Sequence, residues 1–409
     1  QLSEEIRQKL FGSETEKNMS KKTILLVIDN MKIGGIQKNM LNLVTELCDK
    51  YELTLCIFNP VGEYMPLIPK QVKIISPDSA FRYLGMSNEE SKKHFSDFLG
   101  RTFYYLIMRV FGNKTMYRCM LRTQKKLGDY DYAVSGMQSA VAGVFYSGCN
   151  ELILERVNAK QKSAYIHCDY VLSGIDNPYN RSVYRRLDKI IVPNRSNYNQ
   201  FVSVLPDVKE KVCIVNNFCN YKEVLEKSVQ DPVVYDSTKT NIVTVARISP
   251  EKGIDRAIAV FERLKKEGYS FTYHVIGGGK AYEEMCEQIR KNDLSDCIFL
   301  HGYDSNPYRY LKNADLFLLP SRNEAAGLVI DEARSLGVPV LSTRTVAAEE
   351  TLSFHDCGWV CENSEDGIYT GMKDLLESTA KLKEKSLILK QSKADNKIPA
   401  AQFEKMLEQ

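Results

Sequence analysis

Short apolar runs of the kind found in buried strands alternate along the chain with segments in which apolar residues recur at helical spacing. Residues 22–29 (KTILLVID) predict a first strand, residues 36–50 a helix after the turn at 30–35, and residues 53–58 a second strand. This order is typical of a strand–helix–strand unit with parallel strands and a right-handed crossover. The same pattern predicts four further strands in the first half of the chain, at residues 132–135, 163–167, 189–192 and 211–215.

A stretch with little periodicity and several Asn, Asp and Pro residues, 216–237, separates the two halves, and we interpret its start as a hinge. The alternation of strands and helices then begins again. Strands are predicted at 240–245, 271–277, 297–300, 316–320 and 338–342, and helices at 253–267 and 281–291. From about residue 376 the chain is predicted to be helical and polar, with Phe403 and Leu407 on one face that is free to pack on the first half.

These patterns predict an α/β protein built from two successive Rossmann-like, doubly wound domains that face a central cleft. The predicted divisions are an N-terminal extension (1–21), a first domain (22–217), a second domain (218–390) and a C-terminal helix that crosses back to the first domain (391–409). In sheets of this type ligands bind beyond the carboxyl ends of the strands. The cleft is therefore the expected binding site.

The composition narrows the class of protein. The 409 residues are 44% hydrophobic and 26% charged, which is ordinary for soluble globular domains and excludes a disordered, collagen-like or many-spanning membrane protein. At roughly 150 residues per domain, this length also predicts two large domains or three small ones. The net charge is only +3, so no nucleic-acid partner is predicted.

The eleven cysteines are scattered, odd in number and without a CxxC pair, which favours free thiols in a reducing compartment and predicts no metal site. Residues 1–18 lack the apolar core of a signal peptide, and no apolar run reaches the roughly 18 residues that a membrane-spanning helix needs. The expected location is cytoplasmic, either free or peripheral on the inner face of the plasma membrane.

Residues 91–130 depart from the average charge. They hold nine Lys or Arg and two Asp, a net charge of +7, so the rest of the chain sums to −4. They also carry eight Phe or Tyr residues. Basic and aromatic residues together on a helix predict adsorption to an anionic membrane surface. The alternative is a solvated helix whose aromatic residues belong to the core.

Three small groups of residues have the chemistry of a phosphate or sugar site. Gly34 and Gly35 lie where the first strand leads into the first helix, whose free N–H groups can bind phosphate, although a Gly-Gly pair is often only a turn. Arg247 and Lys252 flank the turn after the strand at 240–245, where two cations can neutralise a diphosphate; the alternative is a surface pair.

The third group is acidic. Glu324 lies in the loop after the strand at 316–320, and Glu332 follows eight residues later in a helix that Gly337 caps and Pro339 ends. Carboxylates accept hydrogen bonds from sugar hydroxyls, so two of them in one crevice suit a nucleotide sugar. The alternative is a pair of surface acids stabilised by the helix dipole.

Taken together, these segments resemble the retaining glycosyltransferases of family 4, which have the GT-B fold. The resemblance runs from about residue 22 to 360 and is dense in the second half. It rests on Gly34-Gly35 with the IQKNMLNL run after it, Arg247 and Lys252-Gly253, Gly277 and Gly279 after Val275-Ile276, His301-Gly302-Tyr303, Ala314-Asp315 with the LFLLPS run, and Glu324 and Glu332 with Gly337-Val338-Pro339. The segments Phe58 to Tyr64 and Ile166 to Asp169 look most like enzymes that build bacterial capsule or other surface polysaccharide.

The resemblance implies a role for each matching residue. Arg247 and Lys252 would hold the donor diphosphate in place of a metal, Glu324 would bind the donor sugar, and His167 would lie near the transferred sugar in the acceptor-side first domain. Glu332 would accept hydrogen bonds from the ribose. The other residues implied to bind the donor or its nucleotide are Gly34, Gly35, Gly277, Gly279, Tyr303, Ala325, Ala326, Gly327 and Leu328. No metal and no cofactor is expected, since the nucleotide sugar is a substrate.

The chain departs from the family at one place, where Glu324-Ala325-Ala326-Gly327 stands for the usual Glu-Gly-Phe-Gly. The backbone N–H groups of this turn remain, but the missing Phe changes the wall of the sugar pocket. Glu350 resembles another family acid near the nucleotide, although Glu349 beside it makes that alignment ambiguous.

The implied function is transfer of a hexose or N-acetylhexosamine, with retention, from a nucleotide-diphosphate sugar to a hydroxyl of a glycan, lipid-linked or protein acceptor. UDP is expected as the nucleotide, and bacterial surface polysaccharide as the product. Two alternatives stay open at this point. One is a non-catalytic GT-B partner of another transferase, and the other is a nucleotide-sugar epimerase or a phosphorylase.

Overall fold

Two parallel sheets organise the chain in the computed structural model, which describes residues 21–77, 79–324, 327–345 and 347–409. The first sheet has seven strands in the order β3-β2-β1-β4-β5-β6-β7. The order reverses between β1 and β4, the point at which a doubly wound sheet opens a crevice for ligand. These strands are β1 (Thr23–Ile28), β2 (Glu52–Ile57), β3 (Lys73–Ile75), β4 (Asp129–Ser135), β5 (Asn158–Tyr165), β6 (Lys189–Val192) and β7 (Val212–Ile214).

The second sheet repeats this design with six strands in the order β10-β9-β8-β11-β12-β13, again all parallel. Here the order reverses between β8 and β11. The strands are β8 (Thr240–Val245), β9 (Phe271–Ile276), β10 (Ile298–Gly302), β11 (Leu316–Leu319), β12 (Val340–Thr343) and β13 (Gly358–Cys361).

Helices connect the strands and cover the faces of both sheets. Those of the first half are α1 (Gly35–Leu47), α2 (Ser79–Arg82), α3 (Asn88–Ser91), α4 (Phe95–Thr123), α5 (Cys149–Arg156), α6 (Pro178–Arg186) and α7 (Arg195–Val204). Those of the second half are α8 (Tyr221–Ser228), α9 (Ile254–Lys266), α10 (Tyr282–Lys291), α11 (Tyr308–Leu311), α12 (Leu328–Ser335), α13 (Ala348–His355), α14 (Glu365–Glu377), α15 (Thr379–Gln391) and α16 (Lys397–Glu408). Short 3-10 helices lie at Met65–Leu67, Pro206–Lys211 and Pro250–Lys252.

The eleven strands predicted from apolar runs are all present, most of them within two residues of the expected limits. β5 is the main exception: it begins at Asn158, five residues earlier than predicted, because its polar first half pairs with β4 from Asp129 onward. β3 and β13 were not predicted from the sequence, because they are edge strands of three and four residues without a fully buried face. The fold class is confirmed.

The C-terminal helix returns to the first half, as its one apolar face predicted. Phe403, Met406 and Leu407 of α16 are buried in the same hydrophobic core as β1 and β4. The proposed extension, residues 1–21, lies outside the described ranges except for Lys21. The limits 22–217 and 218–390 stay predictions.

Asn396 joins the two places where the chain passes between the halves. Its side-chain amide donates to the carbonyl of Cys219 and to Glu46, and its oxygen accepts from the N–H of Cys219. Nearby, Lys38 of α1 forms an ion pair with Glu223 of α8 at 2.9 Å. These contacts fix the two sheets side by side with their carboxyl ends turned to a shared cleft.

Candidate functional site

The turn after β8 carries the first of the candidate cations. Lys252 closes the 3-10 helix Pro250–Lys252, and Gly253 then adopts a positive φ of +68°. A Cβ at Gly253 would lie 2.0 Å from the carbonyl oxygen of Pro320, so only glycine lets this turn touch the loop after β11. The two loops that flank the crevice of the second sheet are thereby held together.

Lys252 and Glu324 meet across these two loops. The Lys252 ammonium lies 2.6 Å from a Glu324 carboxylate oxygen, and the two side chains are 23% and 14% exposed. The β11 loop is fixed from behind by Arg256, whose buried guanidinium donates twice to the Pro320 carbonyl and once to Asn363. The result is a fixed cation beside a fixed hydrogen-bond acceptor at the edge of the crevice.

Gly277 and Gly279 shape the next loop, which follows β9. A Cβ at Gly277 would lie 1.9 Å from the carbonyl oxygen of Ala246, and a Cβ at Gly279 would lie 2.1 Å from that of Ile248. The backbone of the β9 loop therefore packs directly on that of the β8 loop. Tyr303, in the loop after β10, is exposed beside Gly278 at the same edge of the sheet.

Arg247 lies apart from the Lys252–Glu324 pair. Its side chain is 71% exposed and forms an ion pair with Glu251 at 3.1 Å, four residues along the same turn. The structure thus places both predicted cations in one βα turn but directs only Lys252 to Glu324. Arg247 has the freedom to move toward an anion above the turn.

Glu332 is buried within the first turns of α12, where its carboxylate accepts a hydrogen bond from the Tyr308 hydroxyl at 2.9 Å. Burial raises the pKa of Glu332 from 4.5 to about 7, and the nearby Lys38 ammonium of the first half opposes that rise. Tyr308 could not be found from the sequence because α11 is a single turn and its contact with α12 is not local. Glu332 and Glu324 lie on the same loop–helix segment, with different partners.

On the first half, the Gly34–Gly35 turn leads from β1 into α1. Gly34 is the residue before the helix, in extended conformation, and nothing lies within 4 Å of a Cβ built on Gly35. Asp29, at the end of β1, accepts hydrogen bonds from the Asn30 N–H and the Gln37 side chain, and burial raises its pKa to about 6. Asp29 was not among the predicted site residues, although its place directly after β1 was the available signal.

His167 follows β5 and is buried against the ring of Tyr165, with ring centroids 4.9 Å apart. Its Nε2 lies 3.0 Å from the carbonyl oxygen of Gly136. A carbonyl only accepts, so Nε2 carries the proton and Nδ1 is the free acceptor. Burial lowers the pKa of His167 to about 4, which keeps the ring neutral near pH 7.

Glu350 bridges the two halves at the other end of the cleft. Its carboxylate accepts hydrogen bonds from the N–H groups of Arg195 and Ser196, at 2.8 and 2.9 Å, and so caps the N-terminus of α7. Glu349 instead pairs with Arg344 in its own half. Glu350 thus contacts the first half, and the match of either acid to the family's acid near the nucleotide stays a prediction.

A cleft of about 790 Å³ opens beside this bridge and is lined from both halves. Its charged lining comprises Arg195, Arg322, Arg344, Glu349 and Glu350. Arg322 is held by a bidentate pair with Asp255. The cleft has the size and polarity to admit a hydrophilic molecule.

Two of the predicted donor residues, Ala325 and Ala326, lie outside the described residues. After them, Gly327 has a φ of +41°, and Leu328 begins α12. Across the ranges that the structure covers, no three His, Cys, Asp or Glu side chains are grouped so as to hold a metal ion. The structure thus brings Lys252 and Glu324 together and packs the loop after β8 against those after β9 and β11. Arg247 and Glu332 have other partners, and His167 and the Gly34–Gly35 turn belong to the first half.

The second half of the chain is similar to a known family. Residues 226–391, about two fifths of the chain, match the model of the glycosyl transferases group 1 family. We call this stretch the group 1 domain. The residues of this group 1 domain include Arg247, Lys252, Glu324 and Glu332.

Relatives of known name agree with this assignment. The chain is 33% identical over 132 residues to the amylovoran biosynthesis glycosyltransferase AmsK of Erwinia amylovora, covering 30% of this chain and 32% of that protein. It is 27% identical over 173 residues to the O-antigen biosynthesis glycosyltransferase WclY of Escherichia coli, covering 40% of this chain and 45% of that one. The matches thus span between a third and a half of these relatives.

Solved structures extend the likeness to both halves. The Anabaena protein HepE in complex with UDP superposes with a TM-score of 0.63 at 15% identity, covering 95% of this chain and 99% of that chain. TarM superposes with a TM-score of 0.69 at 14% identity, covering 96% and 99%. The GT-B fold is confirmed, with the group 1 domain as its second half.

Proposed function

We propose that the protein is a glycosyltransferase that moves a hexose or N-acetylhexosamine from a nucleotide-diphosphate sugar to a hydroxyl of an acceptor, with retention and without a metal. The observation that carries the proposal is the Lys252–Glu324 pair, at 2.6 Å, between the two crevice loops of the group 1 domain. An ammonium at this edge can neutralise a departing diphosphate, and a carboxylate beside it can accept from sugar hydroxyls.

The remaining residues have complementary parts in this proposal. Arg247 swings from Glu251 onto the diphosphate, and Glu332 accepts from the ribose once it is ionised. The free N–H groups at the start of α1 and the open space at Gly35 receive the phosphates from the opposite side. His167, neutral with Nδ1 as acceptor, hydrogen-bonds a hydroxyl of the transferred sugar and takes no proton.

The chemical step in this proposal needs no enzyme nucleophile. The bond from the anomeric carbon to the diphosphate oxygen breaks, the acceptor oxygen bonds to the same face of that carbon, and the hydroxyl proton passes to the departing diphosphate. Lys252 and Arg247 stabilise the negative charge that grows on the leaving group. Domain closure across the cleft supplies the alignment.

We place the acceptor in the 790 Å³ cleft, because it opens beside the loop that carries Glu324 and is lined from both halves. The relatives AmsK and WclY are named for the synthesis of bacterial surface polysaccharides, which supports a glycan acceptor of that kind. HepE is named in complex with UDP, which supports UDP as the nucleotide.

The test begins with a thermal-shift panel of UDP-, GDP- and ADP-sugars, since a bound donor raises the melting temperature. The sugar that stabilises the protein is then supplied with candidate acceptors, with and without EDTA, and the anomeric configuration of the product is read by NMR. We expect a retained configuration and no loss with EDTA.

Other outcomes would support the alternatives. Interconversion of the free nucleotide sugar without any acceptor would identify an epimerase. Absence of binding to every sugar of the panel, with a second transferase co-purifying, would identify a non-catalytic partner and overturn the proposal.

A further inference from the structure

The first part of α4 carries an apolar face that points to solvent. A break at Gly112, where φ is +79°, divides the helix. Before the break, eight apolar or aromatic side chains are exposed, and all of them except Phe111 share one side of the helix. We call these seven the apolar ridge: Phe95, Phe98, Leu99, Phe103, Tyr105, Leu106 and Val110.

The opposite side of the same helix is fixed to the first domain. Met108 is fully buried, Asp97 is buried in an ion pair with Arg82, and the ring of Tyr104 packs on that of Tyr83. Just past the break, Asn113 bonds to the backbone of residues 143 and 144. The helix therefore cannot rotate to bury the ridge against its own domain.

A helix that is apolar on both faces requires a partner for the outer one. Phe95 and Val110, near the ends of the ridge, are 75% and 69% exposed, whereas single exposed apolar residues would need no explanation. Seven of them in one contiguous stripe exceed what a monomeric protein leaves in water without a function.

The charges around the ridge select the partner. Arg109 lies on the ridge itself, and no acidic residue does. Six exposed basic residues lie on the ridge or flank it along the chain, namely Lys92, Lys93, Arg109, Lys114, Arg118 and Arg122. The last three recur every four residues along the second part of α4 and so form one stripe. An apolar face that is flanked along the chain by exposed positive charge is complementary to a bilayer with anionic headgroups.

We propose that the apolar ridge and its basic surround dock on an anionic lipid bilayer, with the aromatic and aliphatic side chains at the acyl boundary and the cations among the headgroups. The inference rests on α4 alone and does not depend on the proposed glycosyl transfer. It keeps the basic and aromatic segment predicted from the sequence and adds the exposed apolar face that the structure places on α4.

The experiment is co-sedimentation of the full chain with vesicles of phosphatidylcholine plus phosphatidylglycerol, and with vesicles of phosphatidylcholine alone. The wild type should bind the anionic vesicles and bind the neutral ones much more weakly. The double variant Leu106→Glu, Val110→Glu should lose at least about tenfold in partitioning, since two inserted apolar side chains become charged. Leu387→Glu on α15, equally exposed at 61% in the wild type, is the matched control and should bind normally.

A second pair of variants tests the charges. Arg118→Glu with Arg122→Glu should also weaken binding at least tenfold, because each basic residue at an anionic surface contributes a factor of about five. Lys383→Glu, an exposed lysine of α15, is the control. Melting temperatures of all variants, measured in parallel, verify that each one is folded.

Three results would overturn the proposal. One is wild-type protein that stays in the supernatant with anionic vesicles. Another is unchanged sedimentation of the Leu106, Val110 double variant. The third is a wild type that elutes as a dimer which this variant dissociates, because the ridge would then be an interface between two copies of the chain. Donor binding is unaffected by any of these outcomes, so failure here is distinct from failure of the proposed function.

Discussion

Lys252 and Glu324 are the two side chains of the second domain that the proposed chemistry depends on most. Both are mostly buried, and each stands on a loop whose backbone is locked, one by Gly253 and the other by Arg256. A cation fixed in this way does not need to reorganise when charge develops on a leaving group. A surface ion pair would not have this property, because its partners exchange with water.

We therefore predict that Lys252→Ala lowers turnover by about 10²-fold or more, in line with the loss of one preorganised donor to a developing oxyanion. Lys266→Ala, which removes an exposed lysine paired with Glu262 on α9, is the control and should leave turnover unchanged. Initial rates at saturating donor make the comparison. Near-normal turnover of purified Lys252→Ala protein would falsify the role.

Glu332 has a pKa of about 7 in the folded protein, raised from 4.5 mainly by burial. Between about pH 4.5 and pH 7 the folded state holds a proton on Glu332 that the unfolded state has released. The free energy of unfolding therefore falls as pH rises through this range and is constant above pH 7. Above pH 7 the free energy of unfolding is lower than its value at acid pH by an amount on the order of 3 kcal/mol. Glu332→Gln retains an acceptor for Tyr308 and should remove this dependence.

The measurement compares melting temperatures of wild type and Glu332→Gln at pH 5 and pH 8. The variant should gain stability relative to wild type only at the higher pH. In the proposed function, ionised Glu332 binds ribose, so the donor KM of the wild type should rise as pH falls below 7, and that of the variant should not. Parallel pH profiles for the two proteins would contradict both statements.

At the scale of elements, the loops after β8 and β9 pack backbone against backbone, whereas the turn before α1 is open. A Cβ at Gly279 would lie 2.1 Å from the Ile248 carbonyl oxygen, but one at Gly35 would touch nothing. We predict that Gly279→Ala lowers the unfolding free energy by roughly 1–3 kcal/mol, as overpacking does. Gly35→Ala should leave stability within about 1 kcal/mol of wild type.

Gly35→Ala should nonetheless weaken donor binding, because its methyl group occupies the space that we assign to the phosphates. Thermal melts give the first comparison, and titration with the stabilising nucleotide sugar gives the second. A Gly35→Ala protein that binds the donor as tightly as wild type would show that the phosphates do not approach this turn.

The strand pattern of the sequence predicted most elements because apolar periodicity is a local signal. β8, at Thr240–Val245, was predicted to the residue since it is buried along most of its length. The edge strands β3 and β13 escaped because a short strand with partly exposed faces lacks that signal. β5 begins earlier than predicted, because its pairing with β4 determines its first residue and the composition of β5 does not.

The site was predictable to the extent that its residues follow strands directly. Lys252, Glu324 and Glu332 were singled out in this way, and their roles stay predictions. Arg256 and Tyr308 were not, since their roles come from contacts 64 and 24 residues away in the chain. Local spacing identifies the groups that face a cleft but does not reveal which buried side chains hold them in position.

The whole molecule joins two halves of different character. The net charge of +3 is the sum of +7 on residues 91–130 and −4 on the rest of the chain. The excess positive charge therefore lies in the first half, in the segment that includes the apolar ridge. The group 1 domain carries the loops after β8, β9 and β11 to which we assign donor binding. Hydrogen bonds near Cys219 and Asn396, and those of the Glu350 bridge, join the two halves.

Glu350 offers the sharpest test of this coupling. Its carboxylate accepts from two backbone N–H groups at the start of α7 in the opposite half, whereas its neighbour Glu349 pairs with Arg344 inside its own half. Glu350→Ala should remove the bridge, open the cleft and increase the radius of gyration measured by small-angle X-ray scattering. Glu349→Ala should leave the scattering unchanged.

The same variant also separates domain coupling from chemistry. Glu350→Ala removes two hydrogen bonds but leaves the N-cap of α7, Asn194, in place, so the protein should stay folded while its two halves move more freely. Donor binding to the second half should persist, and turnover should fall, because alignment of donor and acceptor depends on closure. If Glu350→Ala and Glu349→Ala give the same scattering curve and the same turnover, the bridge does not control the cleft.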